Sequence, residues 1–343
     1  MRLASYNVEN LTDAGDGAAD GASDGAAPLA ARIDILAPQL ERLAADILCF
    51  QEVDATRRKA GGPRALTALT RLLDAAGHKD FHLACTTHPN SGGPRDKHNL
   101  VVASRWPIRR VAQYANDLVP APHYAVVTAD PSRNPKPNTE APVLWDRPIL
   151  QVEIALPDGH PLHLINMHLK SPQASHIAGQ KTGPFAWKTV SGWAEGYFLA
   201  TIKQAGQALE ARMLVDRLFD DDANSLIAVV GDFNAEERDA PFRILKGDVE
   251  DTGNGCLAAR SLVPLEHSLP DSQRFTVIHR GRKLMLDHLL VSRRLLARYR
   301  HIEIHNEALG DELVGATLVD APPDSYHAPI VAEFDISGRQ GRP

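Results

Sequence analysis

Short apolar runs recur along the chain with two periods, one of strands and one of helices. Arg2 to Val8 alternates and closes on Asn7-Val8-Glu9-Asn10, which predicts a first strand finishing in polar residues. Pro28 to Ala45 carries Ile33, Leu36, Leu40 and Leu43 at helical spacing and predicts an amphipathic helix. Ile47 to Phe50 predicts a buried strand ending in Gln51-Glu52-Val53, with a helix over about 63 to 76 behind it. His98 to Ser104, Arg147 to Ala155 and Leu162 to Met167 are the next strands, the last running into His168-Leu169-Lys170-Ser171. A long helix is expected near 194 to 219. After it, Leu226-Ile-Ala-Val-Val230 is apolar throughout and mostly β-branched, a buried strand opening onto Gly231-Asp232-Phe233-Asn234. Phe275 to His279 and Leu284 to Val291 read as partners around a turn at Gly281, and Pro329 to Phe334 as the final strand.

Three stretches interrupt this pattern. Residues 13 to 28 are Gly, Ala and Asp almost throughout, a flexible surface loop with nothing to bury. Residues 115 to 146, rich in Pro and Asn, form a long excursion, and such excursions are functional or disordered. The insertion 172 to 193 contains Lys181, Phe185, Trp187, Lys188 and Trp193. It reads either as a lid that selects a substrate by stacking and charge, or as a surface excursion whose aromatics pack onto the body. No repeat or linker divides the chain, so a single α/β domain over 1–337 with a short tail, 338–343, is the simplest organisation.

Composition narrows the function classes. Hydrophobic content of 43% with 23% charged residues describes a soluble globular protein, and no run of eighteen apolar residues offers a membrane span. The N-terminus lacks the apolar core of a signal peptide, and Cys49, Cys85 and Cys256 are scattered without metal or disulfide spacing. A reduced, cytoplasmic protein is expected. A net charge of -6 argues against a tight grip on long duplex DNA without excluding a nuclease. The basic clusters Arg57-Arg58-Lys59, Arg280-Gly281-Arg282-Lys283 and Arg293-Arg294 are short and read as solvated surface.

The chemistry gathers at strand ends. Asn7 and Glu9, Glu52, His168, Asp232 and Asn234, Asp287 and His288, and His327 all terminate or enter apolar strands. Asp232 and Asn234 serve equally well as the turn and cap of a helix starting near Glu236, or as paired oxygen ligands on a rigid support. Strand ends on one sheet edge converge on one pocket. Carboxylates gathered there repel one another unless a divalent cation neutralises them, and oxygen and amide donors favour magnesium or manganese over zinc.

In these motifs the chain resembles the endonuclease/exonuclease/phosphatase family, the DNase I-like metal-dependent phosphohydrolases. The motifs are Tyr6-Asn7-Val8-Glu9-Asn10-Leu11, Gln51-Glu52-Val53, Asn166-Met167-His168-Leu169-Lys170-Ser171, Gly231-Asp232-Phe233-Asn234, Leu286-Asp287-His288 and His327-Ala328-Pro329, in the family's order. The resemblance implies a four-layer α/β/β/α sandwich, two packed mixed sheets flanked by helices with a cleft at their shared edge. It implies a Mg2+ or Mn2+ site of Glu52, Asn7 and Glu9, with Asp232, Asn234 and Asp287 beside it. Asp232 would orient or deprotonate the attacking water with Asn234 as helper; Asp287 and His327 would form the Asp–His pair, and His168 a second phosphate contact. Arg147 and Asn99 match substrate-side positions, although each also reads as an ordinary residue at a strand start. Lys170 and Tyr326 are further substrate-side candidates.

One residue departs from the pattern: Tyr326 stands where the family places Asp immediately before its last histidine. A phenol with a pKa of about 10 does not ligate magnesium as a carboxylate does, although Asp324 shares a face with it in an extended segment. The expected activity is metal-dependent hydrolysis of a phosphodiester, with DNA or RNA as candidate substrates. The alternatives are a phosphomonoesterase or phosphodiesterase acting on small molecules, and a catalytically impaired binding module.

Overall fold

Alternation along the buried runs decides the architecture. A computed structural model describes residues 1–13, 27–57, 62–130, 139–315 and 324–337. The strands join two six-stranded sheets. The first has the order Tyr299–Ile304, Ile330–Phe334, Arg2–Leu11, Ile47–Val53, Asn99–Ser104, His82–Cys85. The second has the order Val263–Pro264, Asp287–Val291, Leu226–Asp232, Pro161–His168, Ile149–Ala155, Ile108–Tyr114. The middle two strands of each sheet are parallel and their outer partners antiparallel, so both sheets are mixed.

Successive residues of one strand serve different layers. Leu3, Ile47, Leu100, Leu164 and Ala228 meet between the sheets in one apolar layer. Their neighbours Ala4, Leu48 and Val101 turn the other way, under helices α1 (Leu29–Leu43) and α2 (Thr67–Ala75). Ile165, Ile227 and Val229 likewise pack beneath α3 (Val190–Asp221) and α4 (Ala240–Lys246). The result is the four-layer helix–sheet–sheet–helix sandwich implied by the motifs. Cys49 is wholly buried, and burial pushes its thiol far up, so it is a packing group. No helix among the described residues is long and apolar enough to cross a membrane.

Several elements differ from the pattern-based reading. Helix α3 begins at Val190 instead of 194, because the Thr189 side chain accepts the Gly192 N–H at 2.9 Å and starts the helix there. The run Leu284 to Val291 is two strands. Arg282–Leu284 closes a hairpin with Val277–His279; the chain then turns where the N–H groups of Leu286 and Asp287 both donate to Thr276 Oγ1, each at 3.1 Å. Asp287–Val291 continues in the second sheet. Strands His82–Cys85, Ile108–Tyr114 and Tyr299–Ile304 lie at sheet edges and lack a cleanly buried face, so their periodicity is weak. The helix expected near Glu236 starts at Ala240. The 13–28 loop beyond Asp13 and before Ala27, the 338–343 tail, Arg58 and Lys59 lie outside the described residues.

The long excursion is fastened to α3 by two buried carboxylates. Glu210 accepts the N–H groups of Asp117 at 2.7 Å, Leu118 at 2.9 Å and Asn116 at 3.0 Å, and the Trp145 indole at 2.6 Å. Gly206 leaves room for that indole: a Cβ there would collide with the Trp145 ring. About four turns toward the N-terminus, Glu195 accepts the N–H groups of Val127 at 2.6 Å and Thr128 at 2.7 Å, and the Tyr124 hydroxyl at 3.0 Å. Burial alone would raise the Glu195 carboxyl, but these bonds outweigh it and hold it below its usual value of 4.5. A depressed acid contributes stability above its unfolded pKa and loses it as the pH falls through the folded one. Protection of the Val127 and Thr128 amides against hydrogen exchange, corrected for intrinsic rate, is therefore expected to be full above the ordinary glutamate value of 4.5 and to fall as the pH drops below it. In Glu195→Gln this acid step should vanish; wild-type protection that is flat with pH would show that the staple carries nothing.

Candidate active site

Register gathers the polar strand ends. Because the central pairs are parallel, their carboxyl ends share an edge. His168 lies opposite Asp232, and Asp232 opposite Asp287, across three neighbouring strands of the second sheet. In the first sheet Asn7 lies opposite Gln51, one residue before Glu52. Both ladders slip there, between Asn7 and Leu11 and between Phe50 and Val53, and these bulges re-aim Glu9 and Glu52. Glu9, Glu52, His98 and Asn234 hold left-handed backbones with φ of 47°, 60°, 54° and 49°. Such strain costs on the order of 1–3 kcal/mol per residue and here is concentrated on one edge. Gly231, at φ 134°, is the residue that lets Asp232 follow: a Cβ there would strike the Met167 carbonyl.

A polar bridge fixes the two sheets to each other beneath this edge. Asn166, wholly buried, donates to Phe50 O at 3.0 Å and Val101 O at 3.1 Å, and accepts from Gln51 Nε2 at 2.8 Å. Above it stand the charged groups. Asn7 Nδ2 lies 3.1 Å from Asp232 Oδ2 and 3.3 Å from Glu52 Oε1. His168 Nε2 is 3.3 Å from Asp232 Oδ2 and 3.7 Å from Glu52 Oε1. His327 Nδ1 bonds Asp287 Oδ2 at 2.8 Å and turns Nε2 to within 4.0 Å of Asp232 Oδ2. Asp232 Oδ1 accepts the Asn234 N–H at 2.8 Å, and the Asn234 side chain donates to Asp232 Oδ2 and Leu169 O at 3.2 Å each. Asp232 Oδ1 thus makes the Asx turn, while Oδ2 is turned toward Asn7, Asn234, His168 and His327.

Electrostatics separates these groups into different states. Burial, then the Asp287 carboxylate, push Asp232 up to about 7 against the pull of His327. Burial alone would lower His327, but Asp287 and Asp232 outweigh it and push the imidazole up to about 10, a cation at neutral pH. Burial and then Arg147 hold His168 well below the usual histidine range, so it is neutral. Burial likewise raises Glu9, whose Oε2 accepts the Tyr326 N–H at 2.9 Å.

The structure brings Asn7, Glu52, His168, Asp232, Asp287 and His327 together, with Glu9, Asn234 and Arg147 around them. Other expectations are corrected. Asn99 is wholly buried: it donates to Val53 O at 2.9 Å and Arg95 O at 2.8 Å and accepts the Arg95 N–H at 2.8 Å, so its amide is used in tying the 95–99 loop to the neighbouring strand. Lys170 folds back on the insertion, donating to Ser171 O at 3.1 Å and Gln173 O at 3.0 Å. Asn7 places amide donors, not a ligand oxygen, between the carboxylates; its Oδ1 accepts the Glu9 N–H at 2.9 Å. His288 points away from the cleft, between Glu266 at 2.6 Å and Ala235 O at 2.8 Å. Tyr326 supports Glu9 through its backbone, while its ring lies near Gly310 and its hydroxyl is buried without a partner.

Sequence reading passed over His98, whose Nδ1 stands 3.8 Å from Glu52 Oε2, and Gln204, which donates to Asn234 O at 2.8 Å. A histidine directly before the Asn99 strand signals the first; one amide on a long helix signals nothing.

The donor set fits a divalent cation. Glu52, His168 and Asp232 place three ligand atoms within 4.8 Å of one another, as do Asp232, Asp287 and His327. Asp287 Oδ1 is buried without a hydrogen-bond partner. Because His327 already neutralises Asp287 through Oδ2, the group around Glu52 is the one whose charge remains to be met.

No curated protein matches the sequence at a significant level. The sequence model of the Endonuclease/Exonuclease/phosphatase family matches residues 4–311. The chain belongs to that family. Endonuclease/exonuclease/phosphatase members are phosphoesterase hydrolases. The fold is similar to that of a family protein from Bacteroides thetaiotaomicron, with a TM-score of 0.55 at 14% identity over 100% of this chain and 98% of that one. Truncated Caenorhabditis elegans TDP2 gives 0.53 at 15% identity, covering 97% and 96%. An AP endonuclease from Archaeoglobus fulgidus gives 0.51 at 14% identity, covering 98% and 100%. At such identities the likeness is one of fold.

The bridge beneath the site yields a direct test. Asn166→Leu strips partners from Gln51 Nε2 and the Phe50 and Val101 carbonyls, and should lower unfolding stability by roughly 2–4 kcal/mol in a urea titration. A loss under about 0.5 kcal/mol would mean that the bridge does not hold the sheets.

Proposed function

We propose that this chain is a divalent-metal-dependent phosphoesterase that hydrolyses phosphodiester bonds, with a nucleic-acid strand as its substrate. One observation carries the proposal: a raised buried carboxylate, Asp232, stands beside the cationic His327–Asp287 pair and the Glu52 group. Such a pairing of a base with fixed positive charge is what water attack on phosphate requires.

Asp232 Oδ2 is the atom to take the proton of an attacking water. Asn7 and Asn234 donate to that same oxygen and hold its orientation. The water oxygen forms the new P–O bond, the ester P–O bond breaks, and the leaving alkoxide takes a proton from solvent. The His327 imidazolium, fixed by Asp287, hydrogen-bonds a phosphoryl oxygen, and neutral His168 orients a second. Arg147 adds charge at the rim, its Nη1 held 3.4 Å from Leu169 O. Glu52 and Asp232, with Asn7 and Glu9 beside them, would hold Mg2+ or Mn2+, which when bound supplies positive charge against the phosphoryl oxygens.

We place the whole of 1–337 in one catalytic unit and the protein in the cytoplasm, where the free thiols Cys49, Cys85 and Cys256 stay reduced. A small phosphoester is the second reading, favoured by the net charge of -6. The position of the Tyr326 ring, near Gly310, weighs against a binding module, since the departure leaves Glu9 anchored.

Turnover of an aryl phosphodiester, single-stranded DNA, duplex DNA, RNA and an aryl phosphomonoester, with added manganese or magnesium, tests the proposal. Asp232→Asn should lower kcat by about a thousandfold while leaving the melting temperature equal or higher, since it removes a buried like charge. A loss under about tenfold would take Asp232 out of the mechanism. Cleavage confined to the monoester would refute the phosphodiester reading.

A further inference from the structure

Helix α3 carries a continuous stripe at positions 190, 193, 197, 200, 204 and 207, spaced alternately by three and four residues. Its inner half is buried at the active-site edge. Gln204 donates to Phe233 O at 3.2 Å and Asn234 O at 2.8 Å, and Gln207 to Arg147 O at 3.1 Å. Its outer half faces solvent: Val190 is 81% exposed, and Trp193 and Tyr197 are each 45% exposed. Tyr197 lies seven residues from Gln204 and Trp193 eleven, about 10 and 16 Å along the axis. The same face that touches the Asp232 turn therefore continues outward as a wall of aromatic rings.

These rings are not a surplus of loose packing. The Glu195 and Gly196 flank of the helix is covered, by Tyr124, Val127 and Thr128 on Glu195 and by Ser175, whose N–H donates to Gly196 O at 2.8 Å, while Phe198 on a neighbouring flank is 47% exposed and meets the Tyr124 ring. Trp187 of the insertion packs against Gly196 with Lys181 over its ring. Trp193 and Tyr197 stack on each other, centroids 5.6 Å apart and planes at 29°. They present edges and faces to solvent beside the cleft.

We infer that Trp193 and Tyr197 form a nucleobase-stacking platform, so that the phosphodiester cleaved at Asp232 belongs to a strand with unpaired bases. The inference rests on the hydrolase reading for its substrate class. Stacking on exposed rings tolerates any base, and the phosphate of such a strand finds its positive charge in the cleft, at His327 and at Arg147, which Gln207 of the same stripe holds. A lipid surface fits less well: its headgroups would lie along the stripe itself and not in the cleft, and the cations beside the stripe are committed. Lys188 pairs with Asp130 at 3.7 Å, Lys203 with Asp146 at 2.5 Å, and Lys181 with the Trp187 ring. An anionic membrane would draw on free lysines there.

The test is binding of a short phosphorothioate-linked single-stranded oligonucleotide and of its abasic counterpart, measured by calorimetry in manganese buffer. Wild type should bind the base-bearing strand roughly tenfold tighter or more. Trp193→Leu combined with Tyr197→Leu keeps the apolar surface and removes the rings; it should abolish that preference with an unchanged melting temperature. Equal binding of the two strands by wild type, or a preference retained in the leucine variant, would overturn the platform. So would binding to phosphatidylcholine vesicles without any base preference. Base preference without turnover of any phosphodiester would count against the hydrolase reading and leave the platform standing; turnover without base preference would do the reverse.

Discussion

Like charges held together in a nonpolar frame are the constraint on which this molecule turns. Asp232 and Asp287 are buried on adjacent strands in direct register, and Glu52 reaches the same place from the other sheet. Nothing in the apolar layers beneath can relax to separate them. The surrounding architecture responds to that constraint. His327 answers Asp287, the Asn7 amide bridges Asp232 to Glu52, and the Tyr326 N–H answers Glu9. What these contacts leave unmet is positive charge at the Glu52 side, the side open to a cation and to phosphate.

Buried carboxylates serve a second purpose in the same chain. Glu195 and Glu210 sit on α3 and gather backbone N–H groups from the 115–146 excursion, so that irregular backbone finds its acceptors on a helix. Farther along, Gln204 and Gln207 of that helix hold the Phe233, Asn234 and Arg147 carbonyls. A single 32-residue helix therefore anchors the excursion, buttresses the turn after Asp232 and extends an exposed aromatic pair beyond it. This continuity links a peripheral surface to the chemistry without any moving part.

Much of the fold and most of the cluster at the sheet edge, the candidate site, are legible in the sequence, for identifiable reasons. Strands buried on both faces announce themselves as apolar runs, and Leu226 to Val230 does so most clearly. Polar residues that terminate such runs have few other uses, which is why Asn7, Glu52, His168, Asp232, Asp287 and His327 could be named. Edge strands such as Ile108–Tyr114 have no fully buried face and so leave no periodic trace. Asn99 misleads because a strand-opening asparagine looks the same whether it faces a ligand or its own loop. His98, to which the sequence analysis assigns no role, faces Glu52 from a left-handed backbone, a placement that no propensity encodes. Gln204 and Glu210 act through contacts far apart in sequence, and an amphipathic pattern cannot distinguish them from ordinary packing.

On the reading proposed above, the Glu52 side of the cluster has its negative charge met by a divalent cation. Calorimetric titration of manganese and magnesium into the wild-type protein and Glu52→Gln, each followed by a thermal melt, tests it most directly. The account predicts cation binding to wild type with a raised melting temperature, and an affinity lower by about tenfold or more in Glu52→Gln. Wild type whose heat and melting temperature ignore both cations, or Glu52→Gln that binds them equally well, would contradict it.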